Sequence, residues 1–330
     1  MSPVEKKTHS IAVVAYPDVQ MSAVLGLQDL FKIANDHSRL YAGSQLRVSE
    51  VSKDIIIDKA PGGFEAVILP PSIRQSRGEG EQAIQSWLCS QHAAGAMMSS
   101  VCVGAYWLAY SGLLKGRPAT THWAVEEDFR MSFPDIQLNT DRLLVDDDDI
   151  VTTGGLMAWL DLGLYIVNRW LGPKVVSDTA RHLLIDPAGR EQQSYRTFQP
   201  RLNHGDKIIL KSQHWLEGRV HEEITVGKIA AEMSLTGRTF LRRFTAATGY
   251  TPIAYLQQLR IEKARGLLEH SLMSISEIGY KVGYQDTSAF SRVFRTTTGL
   301  TAGEYRNRFG VRSRTGRTTG RTEAGSAKPG

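Results

Sequence analysis

Two sets of residues in this 330-residue sequence have types and spacing suited to chemistry. The first centres on Cys102, where the apolar run from Ala96 to Val101 leads straight into the helical pattern of Val103 to Ala109. A cysteine at such a strand-to-helix turn is expected to expose its sulfur at the carboxyl end of a sheet, beside a helix N-terminus whose partial positive charge favours thiolate. That placement suits a nucleophile, and it equally suits a small residue chosen only to fit a tight turn. His122 has the chemistry of a base, although a lone histidine is more often a hydrogen-bonded structural residue. The second set is basic and hydroxylic: Arg238, Thr239, Arg242, Arg243 and Thr245, then Ser288, Ser291, Arg292 and Arg295. Arginine reads guanine with two parallel hydrogen bonds and hydroxyls adapt to any base, so these side chains suit the major groove of DNA.

The second set sits on a duplicated unit. Thr225 to Met233 overlays Ser274 to Val282 with an offset of 49; after the turn the offset becomes 50 and pairs Phe240 with Phe290, Arg242 with Arg292, Phe244 with Phe294 and Gly249 with Gly299. Thr225 is the expected N-cap of one copy, and Ser274-x-x-Glu277 a capping box for the other. In each copy a short helix, a turn and a second helix ended by glycine follow, which is a helix-turn-helix pattern. Periodicity turns Phe240, Leu241, Phe244 and Ala247 inward in the first copy, and Phe290, Val293, Phe294 and Thr297 in the second. Between the copies Thr251-Pro252 starts a helix expected to run to about Leu268, with Ile253, Leu256, Ile261, Ala264, Leu267 and Leu268 on one arc. Such a rod is about 25 Å long, enough to hold two recognition helices near the ~34 Å separation of successive major grooves. A purely structural helical module needs only the phenylalanine stripes; the matching caps and arginines need a further reason.

On these residues the C-terminal part resembles the AraC/XylS family of transcription regulators. The resemblance rests on Ile275 to Gly279, Val282-Gly283-Tyr284, Ser288 to Phe294 and Gly299-Leu300-Thr301, with the linking helix carried by Arg260 to Arg265 and Leu267-Leu268. It covers about a hundred residues. Charge agrees with it: residues 201–330 hold 21 Lys and Arg against 11 Asp and Glu, a balance of +10, whereas residues 1–200 hold 18 against 23, a balance of −5. The basic half is the one that phosphate neutralisation requires.

In the N-terminal half, short apolar runs at Ile11 to Tyr16, Leu46 to Val51 and Ala66 to Leu69 read as strands, alternating with helical patterns from Met21 to about Asn35 and from Glu81 to His92. The alternation implies a doubly wound α/β fold with a mainly parallel sheet. Asp146 to Asp149 lies between two strand-like runs and reads as a solvated hairpin turn; four consecutive aspartates without other placed ligands do not make a metal cage. From Ile11 to about Gly172, the Cys102 turn, Ser111 to Trp123, Gly154-Gly155 and Asp161 to Leu164 resemble the PfpI-like, glutamine-amidotransferase-like superfamily, in the branch that holds isocyanide hydratases and GlxA-type regulators. The resemblance implies a flavodoxin-like fold. It also exposes two departures: Ala23 stands where the hydratases carry the acid that works with the cysteine, and Val103 where they carry threonine. Alanine moves no proton. Cys102, Val103, His122 and Ala23 are therefore expected to wall an effector pocket, with no catalytic residue, cofactor or metal among them.

The expected organisation is a ligand-sensing domain over residues 1–185, a Pro/Gly-punctuated linker over 186–203, an all-α domain with two helix-turn-helix motifs over 204–310, and a disordered Gly/Arg/Ser/Thr tail over 311–330. Two cysteines, and no apolar stretch near the ~20 residues of a membrane span, suit a cytoplasmic protein. The reading that follows is a DNA-binding regulator controlled by a small metabolite. The family resemblance adds double-stranded DNA as partner, an amino acid or quaternary amine as effector, homodimerisation through the N-terminal domain, and activation. The alternative is a hydratase or amidase that uses Cys102, fused to a DNA-binding domain.

Overall fold

The computed structural model describes residues 7–41, 43–52, 63–74, 78, 80–186 and 190–310, and the expected tail lies outside them. The chain divides into two compact units, Met1–Arg196 and Thr197–Gly330.

The first unit is built on a six-stranded sheet. Its strands are β1 (Thr8–Ala15), β2 (Gln45–Ser52), β3 (Ala66–Leu69), β4 (Met97–Val101), β7 (Leu144–Asp147) and β8 (Ile150–Thr153); β5 (Pro118–Ala119) and β6 (Gln137–Leu138) pair separately. The order is β2-β1-β3-β4-β8-β7, parallel throughout except for the β7–β8 hairpin. This is the doubly wound order of flavodoxin-like folds with one antiparallel edge. β3, β4 and β8 are buried along their whole length, as the central strands of a parallel sheet covered on both faces are.

The helices are α1 (Met21–Leu40), α2 (Gln82–Ala93), α3 (Ala105–Tyr110), α4 (Glu126–Ser132), α5 (Trp159–Leu171) and α6 (Pro173–Leu183). α1 runs five residues past the sequence expectation because Leu30, Phe31, Ala34 and Ser38 keep a buried stripe going to its last turn. α1, α5 and α6 pack on one another, and α2 packs on α3. The aspartate run does form a hairpin turn, but it is not simply solvated. Arg117 is paired with both Asp147 and Asp149, and His92 Nε2 lies 2.6 Å from Asp149. That guanidinium holds the Asp149 carboxyl far below the usual carboxylate range.

The stretch after α6 reads as linker only in part, because residues 190–196 are fastened to the first unit. Arg190 pairs with Asp161, Glu191 accepts a hydrogen bond from Leu143 N at 2.7 Å, and Arg196 reaches Glu126 at 2.7 Å. Gln192, 2% exposed, donates through Nε2 to Thr120 Oγ1 and to the carbonyls of Thr121 and Arg142, and accepts from Trp123 N.

The second unit is all helical: α7 (Lys207–Glu217), α8 (Val226–Glu232), α9 (Gly237–Thr248), α10 (Pro252–His270), α11 (Ile275–Lys281), α12 (Thr287–Thr298) and α13 (Ala302–Phe309). The copied caps are present. Thr225 accepts from Lys228 N, and Ser274 and Glu277 form the reciprocal capping box. Each copy has its own core. Phe240, Phe244 and Tyr255 meet in one, Phe290, Phe294 and Tyr305 in the other, with tyrosine edge-on to the second phenylalanine at 86° and 85°. Thr248 and Thr298 are copies too; each hydroxyl donates to the carbonyl four residues back, at 2.8 and 2.9 Å.

Two inward assignments change. Leu241 is 40% exposed and Ile253 38% exposed. Pro252 and Tyr255 join the expected Leu256 in the buried places on the first turns of α10.

Candidate functional site

In the second unit the side chains at i, i+3, i+4 and i+7 of each recognition helix form one exposed stripe. On α9 the stripe is Arg238, Leu241, Arg242 and Thr245; on α12 it is Ser288, Ser291, Arg292 and Arg295. Helical spacing places the four residues of each stripe one above another, and both helices use the same four positions. All four stripe residues of α12, and three of those on α9, were legible as outward positions. Leu241 was missed because an isolated leucine beside a phenylalanine is normally core.

Thr239 and Arg243 leave the set. Thr239 is half-buried, and the N-cap Thr236 donates to its hydroxyl at 3.0 Å, so it belongs to the start of α9. Arg243 makes two hydrogen bonds to Asp206, at 2.9 and 2.7 Å. Asp206 is also the N-cap of α7, accepting from Ile208 N and Ile209 N. The arginine thus fastens the first helix of the unit to α9. Sequence periodicity had no means of finding this pair, which spans 37 residues.

The two copies are joined by α10, whose 19 residues make a rod of about 28 Å. Arg260 sits in its middle. It donates from Nε to the Val220 carbonyl at 2.8 Å and from Nη2 to the Glu222 carbonyl at 2.7 Å, and its guanidinium lies over the ring of Tyr284 at 5.4 Å. One side chain therefore ties the loop before the first copy to the turn of the second.

In the first unit Cys102 stands at the end of β4 with φ +58°, a left-handed backbone that a cysteine rarely adopts. The expected turn is there, but the expected exposed thiolate is not. Cys102 is 4% exposed, and burial pushes its thiol up to about 11 against the opposing pull of the Val103 and Gly155 backbone N–H groups. Burial outweighs any helix dipole at this turn, beyond which the helix spans only Ala105–Tyr110. Tyr16 lies beside the sulfur; burial first, then Cys102, holds the phenol proton well above its ordinary range, and the hydroxyl donates to the Pro70 carbonyl. Thr121 Oγ1 donates to the Cys102 carbonyl at 2.8 Å.

His122 is half-buried. Its Nδ1 accepts from Ala124 N at 3.1 Å, and burial lowers its pKa. Val103 is buried at the turn, and Ala23 is fully buried in α1. Gln20, just before α1, is 6% exposed, and its side-chain amide reaches Ser22 Oγ and Met157 Sδ. Gly155 at the sulfur and Met157 at Gln20 belong to one turn, so the Cys102 and Gln20 loops close on the same segment. A pocket of about 150 Å³ lined by Leu160, Asp161, Leu164, Ile185, Asp186 and Arg190 is separate from this cluster, and Asp161 and Arg190 in it are paired with each other.

The DJ-1/PfpI family matches residues 26–169, and a helix-turn-helix domain matches residues 229–308. The chain thus carries a DJ-1/PfpI domain followed by an AraC-type helix-turn-helix domain. Among similar proteins, the HTH-type transcriptional regulator ArgR of Pseudomonas aeruginosa is 30% identical over 216 residues, 65% of either chain. The HTH-type transcriptional regulator GbdR of the same organism is 24% identical over 302 residues, 88% of this chain and 78% of that one. The alignment thus spans just under two thirds of ArgR's own length. Of solved structures, DJ-1beta of Drosophila melanogaster superposes on 54% of this chain and 99% of its own, with TM-score 0.45 and 17% identity.

Proposed function

We propose that this protein is a sequence-specific transcription regulator, its helical unit binding promoter DNA and its DJ-1/PfpI unit binding a small effector. The observation that carries the reading is the pair of equivalent exposed stripes on α9 and α12, with Arg242 and Arg292 at matching positions. Arginine placed this way on a helix that fits the major groove reads guanine, and the balance of +10 over residues 201–330 supplies phosphate attraction. Selection of duplexes from a random pool, followed by affinity measurement across salt concentrations, tests it. A recovered consensus and a steep fall of log affinity with log salt are expected; no enrichment, or a flat salt response, overturns it.

Cys102, Val103, His122 and Ala23 are read as residues of the effector site and not of a catalytic centre. Burial holds the thiol protonated at neutral pH, Ala23 has no proton to give, and His122 is engaged with Ala124 N. The effector class proposed from the family resemblance is an amino acid or quaternary amine. A thermal-melting screen of such compounds tests it, because a ligand that binds the native state raises stability by mass action. Multiple turnovers of an amide or isocyanide, lost in Cys102→Ser, would establish the hydratase reading instead.

Homodimerisation is proposed through the first unit, where Met21, Leu25, Leu156 and Met157 are exposed apolar side chains around the Gln20–Met157 contact. Among the described residues no helix is long and apolar enough to cross a membrane, and activation from the cytoplasm is the proposed mode. Sedimentation of the full chain and a promoter-reporter assay test these two points.

A further inference from the structure

The two recognition stripes agree in geometry and differ in chemistry. Where α12 shows Ser291, α9 shows Leu241. Among the described residues Leu241 is the large apolar side chain that the recognition helices expose, and it stands apart from the hydrophobic cluster that Ala247, Leu235 and Tyr250 join. A single exposed leucine is ordinary on a protein surface. This one lies between Arg238 and Arg242 on the face that carries the stripe, where a solubilising residue would be expected if the face served only water.

We propose that Leu241 is a specificity-determining residue that reads the 5-methyl group of a thymine in the major groove. The inference rests on the DNA-binding function proposed above. In the major groove thymine differs from every other base by that methyl group, and an apolar side chain is the partner that recognises it. Arg242, the next residue along the stripe, takes a guanine edge, so the half-site under α9 pairs a guanine contact with a thymine methyl. The half-site under α12 has Ser291 in the equivalent place and carries no methyl requirement there. The two half-sites are therefore unlike, and the protein binds an asymmetric operator in one orientation.

The test uses the full-length protein and a consensus selected from random duplex DNA. Each thymine in that consensus is replaced singly by deoxyuridine, which removes the methyl group and leaves the hydrogen-bonding edge intact. The wild-type protein is expected to lose about fourfold in affinity at one thymine of the α9 half-site, the effect of one methyl group left in water. Leu241→Ser is expected to bind the thymine and uracil duplexes equally and to keep the wild-type salt slope. If every uracil duplex binds wild type as the thymine duplex does while Arg242→Ala still weakens binding, the methyl reading is overturned and the DNA-binding function stands. If selection recovers no consensus, both fall together.

Discussion

Gln192 occupies the space that a side chain at Gly154 would need. An ideal Cβ on Gly154 would lie 1.9 Å from Gln192 Nε2 and 2.6 Å from the Thr121 carbonyl oxygen. The same amide nitrogen donates to Thr121 O and Arg142 O, both at 2.9 Å. Close approach at a glycine is thus what lets the segment leading out of the first unit bury a polar side chain with its hydrogen bonds made.

Gly154→Ala is expected to destabilise the first unit by about 1–3 kcal/mol, the usual cost of forcing atoms into a filled site. Gln192→Ala removes these hydrogen bonds and takes the acceptor from Trp123 N, which costs about the same. Because the two residues contest one volume, the double variant should lose clearly less than the two single losses added. Thermal or denaturant unfolding of the four proteins gives the coupling; strict additivity would show that they do not share the site.

Neighbouring arginines on α9 should behave oppositely. Arg242 is exposed and Arg243 is held by Asp206. Arg242→Ala and Arg292→Ala are each expected to lower affinity for the selected DNA by about 1–3 kcal/mol while the melting temperature stays where it was. Arg243→Ala is expected to lower the melting temperature of the helical unit and leave base preference unchanged. Unchanged DNA affinity in both the Arg242 and Arg292 variants would remove them from the interface.

Periodicity and repetition carried most of the fold. A copied unit must bury the same face twice, so the phenylalanines and closing glycines of α9 and α12, and the caps Thr225 and Ser274 of α8 and α11, could be placed by overlay alone. Three features were not legible. Leu241 breaks the rule that apolar residues beside a core stripe are core, Arg243 finds a partner that folding brings from 37 residues away, and Arg260 bonds carbonyls that have no sequence signature. At Cys102 the local pattern gave the right turn and the wrong electrostatics. Helix dipoles can be read from a sequence; the depth of burial that overrides them comes from packing.

Cys102 is accordingly expected to react slowly. Only the thiolate attacks disulfide reagents, and burial pushes this thiol up to about 11 while leaving it 4% exposed. In the native protein near neutral pH, Cys89 should be labelled before Cys102, and denaturant should abolish the difference. The raised value also fixes a sign: the folded state holds this proton more tightly than the unfolded chain, whose thiol has its ordinary value of 9.0. The associated stability is fully present below pH 9 and is lost as pH rises towards 11. Cys102→Ser should flatten that alkaline decline; Cys102 labelled first would show that the turn opens readily.

Gly283 packs against Arg260 at the joint between the two helix-turn-helix copies. Its φ is +92°, and an ideal Cβ would come within 2.6 Å of the Val220 carbonyl oxygen and 2.8 Å of Arg260 Nη2. Gly283→Ala therefore meets two penalties: about 1–2 kcal/mol for the left-handed backbone, and a clash with the groups through which Arg260 holds Val220 and Glu222. The guanidinium can escape only by giving up one of those carbonyls. Residues 197–310 contain both hydrophobic clusters of the unit and form the piece to test. Gly283→Ala in that segment is expected to lower the denaturation midpoint and to weaken binding to a duplex carrying both half-sites more than to either half-site alone, because the spacing of α9 and α12 depends on this joint. Equal weakening on all three duplexes would mean that the substitution unfolds the segment as a whole and that Arg260 does not set the spacing.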